Sequence, residues 1–368
     1  MDTIKRLINI HIPITTCTLR CNYCYITHHR LFGGALPNFK YSPDEVRRAL
    51  SKERLGGTCL IAFCAGGETL LPDNIVSYFK ALLDEGHYLF IVTNGTVTKR
   101  FDEIAALPPE LLKRTFFKFS YHYREFKEKG LLDKFFSNVN KIHSAGASFT
   151  LELTPSDEDI PFIDEIKETA IKNVGAVCHV TVARNEKVVG ELPILTNMSK
   201  SDYEKTWSVF NSSFFDYKMS IFGKKRKEFC YAGAWSVYLN FVTGDMTQCY
   251  CSHYQQNIFE NIERPIRFMP IGNNCTMQHC YNGHSMIVLG TIPELEAPTL
   301  AEIRNRVCSD GSEWLYPEMK SFMGTRLYET NQEYSDFQKF KVNLEMKFRG
   351  RIRSLRLFAG KIKRKLIK

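Results

Sequence analysis

Three cysteines near the start of the chain have the residue type and spacing of metal ligands. Cys17, Cys21 and Cys24 follow residues 6–14, whose alternation of apolar and polar side chains predicts a β-strand. We therefore expect the cysteines in a loop at the carboxyl end of that strand. Three thiolates spaced four and three residues apart can hold one iron–sulfur cubane and leave its fourth iron without a protein ligand. An open coordination position is typical of catalytic metal centres.

Zinc is the alternative occupant of this loop, because His28 or His29 could supply the fourth ligand that a closed zinc site needs. Disulfides are a weak explanation for the twelve cysteines of the chain. The first residues lack the apolar segment and cleavage site of a signal peptide, which predicts a cytoplasmic protein with reduced thiols. Four scattered cysteines are predicted to be core thiols: Cys59, Cys64, Cys178 and Cys308.

A second set of cysteines lies in the later part of the chain. Cys230 and Cys249 flank a predicted hairpin, and Cys275 and Cys280 follow in a loop. Four thiolates arranged in this way can close around one cluster with no open position. Cys251 is either a spare thiol or a substitute for Cys249. A zinc knuckle or a set of free thiols is the alternative.

Polar residues are predicted to follow the carboxyl ends of three further strands. Gly66, Gly67 and Glu68 come after the second strand, where glycines let the backbone approach a ligand closely and a carboxylate could hold an ammonium group. Asn94 follows the third strand and Ser120 ends the fourth. Because parallel strands bring their carboxyl ends to one edge of a sheet, one ligand could touch all of these residues.

The elements that must position these residues are six strands that alternate with helices. The predicted strands are residues 6–14, 58–63, 88–92, 115–120, 148–153 and 176–182. One helix start is explicit, with Ser42 as N-cap, Pro43 in the first turn and Glu45 completing a capping box. The alternation predicts an α/β fold in which a parallel sheet with helices outside forms a partial barrel.

With these pieces, the chain resembles the radical S-adenosylmethionine (SAM) superfamily. The resemblance covers residues 5–183 and rests on the CxxxCxxC loop with its aromatic Tyr23, and on the glycine-glycine-glutamate run after the second strand. It implies a partial (β/α)6 barrel. It also implies a [4Fe-4S] cluster on Cys17, Cys21 and Cys24, with the amine and carboxylate of SAM on the free iron.

The resemblance further implies a set of cofactor contacts, with the glycine-glycine-glutamate run at the methionine end of SAM. Asn94 and Ser120 are carried over by strand position alone, and Glu152 on the fifth strand is a further candidate. The implied set is Tyr23, Gly66, Gly67, Glu68, Asn94, Ser120 and Glu152.

The second cysteine set is similar to the twitch or SPASM region of radical SAM enzymes, which holds an auxiliary [4Fe-4S] cluster beside the barrel. The full SPASM array has seven cysteines, and the run here is abbreviated to Cys275-x4-Cys280. This departure favours one auxiliary cluster, on Cys230, Cys249, Cys275 and Cys280.

The implied chemistry is the reductive cleavage of SAM to methionine and a 5′-deoxyadenosyl radical, which abstracts hydrogen from an unactivated carbon. We expect an oxidoreductase or maturase-type enzyme that receives electrons from a flavodoxin- or ferredoxin-type donor. The expected substrate is a sugar-type small molecule or a peptide. The alternatives are an RNA-modifying radical SAM enzyme and a non-catalytic iron–sulfur or zinc protein recruited to a membrane. The sequence assigns no acid–base pair; His122 is the best candidate for proton transfer, and a satisfied surface histidine is the favoured alternative.

The net charge of +9 is concentrated in the last residues of the chain. Residues 347–368 hold ten of the 49 lysines and arginines and no acidic residue, which argues against a nucleic-acid-binding surface on the remainder. Apolar residues recur there at helical spacing: Phe348, Ile352, Leu355, Ala359, Ile362 and Leu366. This predicts a basic amphipathic helix at an anionic membrane surface, the inner face of the cytoplasmic membrane. An RNA-binding arm or a solvated tail is the alternative.

These patterns divide the chain into five expected units. They are a radical SAM core barrel (1–183), a helical linker (184–229), the auxiliary-cluster region (230–290), a helical C-terminal region (291–346) and the basic tail (347–368).

Overall fold

Strands and helices alternate through the first half of the chain, as the sequence pattern predicts. The computed structural model describes residues 2–188, 190–252 and 254–366, and of residues 353–366 it describes the backbone alone. The strands are β1 (Arg6–Ile12), β2 (Cys59–Ala65), β3 (Tyr88–Thr93), β4 (Thr115–Tyr121), β5 (Ser148–Leu153), β6 (His179–Val180), β7 (Ser236–Asn240), β8 (Asp245–Thr247) and β9 (Gln255–Asn257).

Helices of very different length connect and cover these strands. They are α1 (Tyr25–His28), α2 (Pro43–Ala49), α3 (Lys52–Leu55), α4 (Ile75–Asp84), α5 (Thr98–Ala105), α6 (Pro109–Leu112), α7 (Tyr123–Glu128), α8 (Leu132–Ser144), α9 (Ile163–Val174), α10 (Lys200–Ser208), α11 (Ser213–Ile221), α12 (Gly283–Met286), α13 (Leu300–Arg304), α14 (Pro317–Gly324), α15 (Leu327–Thr330) and α16 (Asp336–Leu366). The predicted capping box at Ser42 is present at the start of α2.

The strands of the described residues form one sheet in the order β6-β5-β4-β3-β2-β1-β7-β8-β9. From β1 to β6 neighbouring strands are parallel and consecutive in sequence. Right-handed crossovers between consecutive parallel strands place all the connecting helices on one face. The α/β class with a parallel-dominated sheet is thus confirmed, and the strand order is the one expected of a partial barrel.

Alternation along each strand divides the side chains between the helix-covered face and the inside of the sheet. In β4, Phe117 and Phe119 are buried in the core shared with the helices. Lys118 and Ser120 alternate with them in sequence and therefore point to the inner face. The apolar half of each strand builds the core, and the other half is available to line a site.

The C-terminal helices fill the inner face toward the amino ends of the strands. Tyr88 of β3 stacks on Phe322 of α14 with ring centroids 3.7 Å apart, and Phe214 and Ile303 of α11 and α13 join the same buried cluster. This end of the inner face is therefore packed with apolar side chains in the described structure.

The sheet contains strands from two of the expected units, the core barrel (1–183) and the auxiliary-cluster region (230–290). β7 pairs in parallel with β1, with Leu239 opposite Ile10, and β7 and β8 form the predicted antiparallel hairpin about Gly244, whose φ is +78°. The segment after residue 230 is therefore joined to the barrel by backbone hydrogen bonds rather than attached by side chains alone.

The first half of α16 packs on the edge of this extension. Met346 is buried, and Arg267 forms an ion pair with Glu345 at 2.9 Å. The side chains of residues 353–368, which include most of the predicted basic tail, lie outside the described residues, as do Ile367 and Lys368 altogether. In the part of the chain that is described, no helix is long and apolar enough to cross a membrane.

Two glycines at the end of β2 let the first cysteine loop pack against the sheet. A Cβ on Gly66 would lie 2.7 Å from the Tyr25 hydroxyl, and a Cβ on Gly67 would overlap the carbonyl oxygen of Thr16. The Glu68 N–H donates to that same carbonyl at 3.1 Å, which fixes the loop against the strand end. The glycines are thus required by the protein's own backbone contacts.

Replacing Gly67 with alanine is therefore expected to lower the free energy of unfolding by about 1–3 kcal/mol, the usual cost of forcing atoms into a packed site. Anaerobic urea unfolding measures the change. The control is Gly324→Ala at the end of α14, where a Cβ would meet no atom within 4 Å. Equal unfolding midpoints for the two variants would show that the cysteine loop moves freely aside.

Candidate cofactor site and thiol cluster

The first cysteine loop follows β1 directly and is held by its own hydrogen bonds. The Arg20 guanidinium donates to the Cys17 carbonyl at 2.8 Å, and the Thr27 hydroxyl donates to the Cys21 carbonyl at 2.7 Å. The Cys24 N–H also donates to the Cys21 carbonyl, at 3.2 Å. These bonds use the carbonyls of the loop and leave its three thiols for other partners.

The loop cysteines line a cavity at the carboxyl end of the sheet, here called the cofactor cavity, of about 300 Å³. Its wall brings together most of the residues that the sequence predicts for this site: Cys17, Cys21, Tyr23, Cys24, Gly66, Gly67, Glu68, Asn94 and Ser120. Glu152 does not line it. These residues come from the loop after β1 and from the ends of β2, β3 and β4.

Asn94 connects the end of β3 to the cysteine loop. Its side-chain amide donates to the Cys17 sulfur at 3.5 Å and to the Thr18 hydroxyl at 2.9 Å. Its side-chain oxygen accepts from Thr96. Asn94 therefore positions the Cys17 thiol, besides facing the cavity.

Glu68 is almost fully buried, and its carboxylate already accepts three hydrogen bonds from the protein. The donors are the Thr93 hydroxyl at 2.6 Å and the backbone N–H groups of Asn94 at 2.7 Å and Leu70 at 3.0 Å. Burial raises the pKa of Glu68, and these three donors oppose that rise. A carboxylate has about four lone-pair positions, so one remains for a ligand.

Tyr23 and His122 close one side of the cofactor cavity. The Tyr23 hydroxyl lies 2.6 Å from His122 Nδ1, and the two rings stack at 5.9 Å. Burial, with the nearby Lys118 ammonium, lowers the pKa of His122 to about 3, so this ring is neutral at pH 7. His122 is therefore a hydrogen-bond partner of Tyr23 rather than a solvated surface histidine.

The three thiols of the cofactor cavity fit an iron–sulfur cubane, which takes one thiolate on each of three irons. Burial raises the pKa of all three thiols, a shift that coordination to a metal reverses. Among the described residues, no three His, Cys, Asp or Glu side chains converge closely enough to hold one ion. A cubane presents a separate iron to each thiolate, so its ligands stand farther apart. His28, a candidate fourth ligand for zinc, lines a different groove.

The second cysteine set comes together beside β7 and β8. The sulfur atoms of Cys251 and Cys275 are 3.9 Å apart, and the Cys251 thiol raises the pKa of Cys275. Cys249 contacts Cys251 and raises the pKa of that thiol to about 11. The Cys249 sulfur also lies 3.8 Å from the Met286 sulfur. Burial and the neighbouring Cys230 and Cys275 raise the pKa of Cys280. All five predicted thiols thus belong to one group.

Glu152 lines a second cavity, here called the inner cavity, of about 330 Å³, next to the cofactor cavity. Lys118 and Arg184 line both cavities. Sequence reasoning did not identify either residue, although Lys118 interrupts an apolar strand with a charge. Cys64, predicted as a core thiol, is exposed on the wall of the inner cavity.

Most residues that line the cofactor cavity lie in a segment that matches a known protein family. The Radical SAM superfamily matches residues 11–159, less than half of the chain. The matched segment contains every residue predicted for the first cluster and for SAM. A comparison with curated proteins gives no match.

The solved structures that match this chain are distant in sequence. Streptococcus suis SuiB is 14% identical, with 71% of this chain and 64% of SuiB covered at a TM-score of 0.47. The chain thus spans less than two thirds of SuiB. The hexahistidine-tagged form of anSMEcpe with bound AdoMet is also 14% identical, with 95% of each chain covered and a TM-score of 0.44. The family match thus shows that residues 11–159 are similar to the Radical SAM superfamily.

Proposed function

We propose that this protein is a radical SAM enzyme that carries a [4Fe-4S] cluster on Cys17, Cys21 and Cys24. One observation carries the proposal: these three thiols line one cavity with Gly66, Gly67 and the other strand-end residues. When bound, the cluster and SAM supply a 5′-deoxyadenosyl radical that abstracts hydrogen from a substrate carbon. The electron donor is of the flavodoxin or ferredoxin type, and the substrate is a small molecule of the sugar type or a peptide.

The chain's own residues hold and shield the cofactors in this proposal. Glu68 offers its remaining lone-pair position to the ammonium group of SAM, and its three internal hydrogen bonds keep the carboxylate oriented. Asn94 holds Cys17 through its amide. Tyr23 and the neutral His122 cover the cluster side of the cavity and reduce access of water.

We further propose that the second cysteine set binds an auxiliary [4Fe-4S] cluster. The sequence favours Cys230, Cys249, Cys275 and Cys280 as its ligands. The 3.9 Å contact between the sulfurs of Cys251 and Cys275 supports Cys251 in place of Cys249, as does the electrostatic influence of Cys251 on Cys230 and Cys280. Such a cluster would accept an electron from a substrate radical or ligate the substrate.

We also propose that α16 associates with an anionic membrane surface. Phe337, Phe340, Leu344 and Phe348 are 60–64% exposed, three or four residues apart, on the side of α16 away from Met346. In sequence this apolar stripe continues into Ile352 and the basic residues that follow. An apolar stripe flanked by cations suits the boundary between lipid headgroups and acyl chains, at the inner face of the cytoplasmic membrane.

The anaerobically reconstituted protein, given SAM and a strong reductant, is expected to release 5′-deoxyadenosine. Replacing Cys17, Cys21 and Cys24 together with alanine should abolish this release, because the cluster loses all of its protein ligands. Chromatography of the nucleoside products provides the measurement, and Cys308→Ala, outside both cysteine sets, is the control. Undiminished release from the triple variant would refute the proposed function.

Iron and sulfide counting tests the two cluster sites separately. Wild-type protein should hold about eight irons, and the triple variant about four. If Cys251, which contacts Cys275, is the fourth ligand, Cys251→Ala should lower the iron content of the auxiliary cluster. Cys249→Ala should then leave that iron content near the wild-type value. If Cys249→Ala lowers the iron content and Cys251→Ala does not, Cys249 is the fourth ligand. Loss of all iron from the triple variant, or zinc on the second set, would contradict the auxiliary cluster.

Removing residues 347–368 is expected to leave SAM cleavage unchanged and to weaken flotation with anionic vesicles. The cut preserves Met346, the buried contact of α16, and removes ten cations and much of the apolar stripe. Salt should weaken binding of the full chain only in part, because the apolar contribution is not screened. Neutral vesicles are the control. Equal flotation of both proteins contradicts membrane binding through residues 347–368, and salt-sensitive binding to RNA alone favours a nucleic-acid arm.

A further inference from the structure

The inner cavity is a separate chamber between the cofactor cavity and the second cysteine set. It shares Val92, Lys118 and Arg184 with the cofactor cavity, and Tyr250 and Asn282 on its wall neighbour cysteines of the second set in sequence. Its volume of about 330 Å³ lies in the range of sites that enclose a small organic ligand. The cavity thus has the size and position of a substrate site.

Positive charge dominates the wall of the inner cavity. Lys118, Arg184, Lys218 and Arg304 line it, and Glu152 is the only acidic residue of the described lining. Glu152 is shared, since it pairs with Lys118 at 3.2 Å and with Arg304. Glu186, on the wall of the cofactor cavity, pairs with Arg184 at 3.0 Å. Two acidic residues therefore face four cations, and positive charge is left over.

Lys218 adds to this excess in its protonated form. It lies on α11 and is 9% exposed, and its ammonium donates to the Thr181 hydroxyl at 3.1 Å. No carboxylate of the described residues lies within ion-pair distance of it. Burial lowers the pKa of Lys218 to about 7, and the neighbouring Arg184 acts in the same direction. A lysine with a pKa of about 7 is partly neutral at pH 7, and an anion bound beside it would favour its charged form.

Arg304 has a buried hydrogen-bond donor that is not satisfied within the described structure. Its side chain is 1% exposed and lies between Glu152 and the ring of Phe214, at 4.2 Å from the ring centroid. Its Nε atom has no hydrogen-bond partner within the described structure. Buried donors are almost always satisfied in folded proteins, so this one also indicates an acceptor that binds in the cavity.

Aromatic side chains also line the inner cavity. His11 and Tyr238 stack at 5.7 Å, and Tyr238, Tyr250 and Tyr281 follow one another at ring distances of 5.5 and 6.2 Å. Such a wall combines large apolar faces with hydroxyl groups at the ring edges. It suits the body of an organic ligand whose charged end points to the cations.

We propose that the inner cavity binds the carboxylate or phosphate group of an organic substrate through Lys118, Lys218 and Arg304. Lysine and arginine form their strongest hydrogen bonds with these two anions. The inference rests on the proposed function only in naming the ligand a substrate. Anion binding itself requires neither SAM nor turnover.

Isothermal titration of the reconstituted protein with inorganic phosphate and with malonate, at low ionic strength and without SAM, tests the proposal. At least one anion should bind to wild-type protein, and Lys218→Met should weaken that binding roughly ten- to hundredfold, because a charge-assisted hydrogen bond is lost. Tighter binding of phosphate identifies a phosphorylated substrate, and tighter binding of malonate identifies a carboxylate.

The matched control is Lys205→Met, which removes an exposed lysine from the neighbouring helix α10 and changes the net charge equally. It should bind both anions as the wild type does. Without anion, Lys218→Met should melt at or above the wild-type temperature, because an apolar side chain replaces an uncompensated charge. A lower melting temperature would assign Lys218 a structural role and overturn the proposal.

Two further results would overturn the proposal: no binding of either anion, or equal weakening in both lysine variants. Neither result affects the test for 5′-deoxyadenosine, which uses no anion. Conversely, anion binding that depends on Lys218 in a protein that fails to cleave SAM would retain the anion site and reject the proposed function.

Discussion

A buried carboxylate, Glu152, joins the sheet to the C-terminal part of the chain. Burial alone would raise the pKa of Glu152, but Lys118, Arg304 and Lys218 outweigh burial and hold the pKa at about 2. A carboxylate in this position must be ionised and must have cations beside it. Lys118 comes from the adjacent strand, whereas Arg304 comes from α13, far along the chain. The inner face of the sheet is therefore complete only when the C-terminal helices are docked.

The cofactor side of the sheet depends on the same kind of constraint. Glu68 satisfies its charge with a hydroxyl and with the backbone of two neighbouring segments, and Asn94 then reaches the Cys17 sulfur. The strand ends and the cysteine loop are thus one hydrogen-bonded unit. Gly66 and Gly67 allow that unit to close, because any side chain there would meet the loop backbone.

Local patterns in the sequence predicted the barrel strands, the capped helix at Ser42 and the hairpin at Gly244, because alternation and turn residues act over a few positions. The predicted strand at 176–182 is shortened to His179–Val180. A 3-10 segment, Asp157–Phe162, begins at a capping box on Ser156 and leads directly into α9.

The cysteines and the strand-end residues were also predictable, because their types and spacing are informative without partners. Lys218 and Arg304 were not, since a lysine or arginine on an amphipathic helix normally points to solvent. Their burial follows from the docking of α11 and α13 on the inner face, a long-range contact that no local pattern encodes. Glu152 was predicted as a cofactor contact, but its strand register places it opposite Ser120 with its side chain toward the inner cavity.

β1 and β7 are neighbouring strands of the sheet, and each of them leads into one of the two cysteine sets. β1 leads into the first cysteine loop, and β7 leads through its hairpin to Cys249 and Cys251. Neighbouring strands lie about 4.8 Å apart and cannot shift without breaking their ladder of hydrogen bonds. His11 of β1 and Tyr238 of β7 meet on the wall of the inner cavity. A ligand in that cavity would therefore sit beside the two strands that lead into the two cysteine sets, and the paired backbone of those strands fixes their separation.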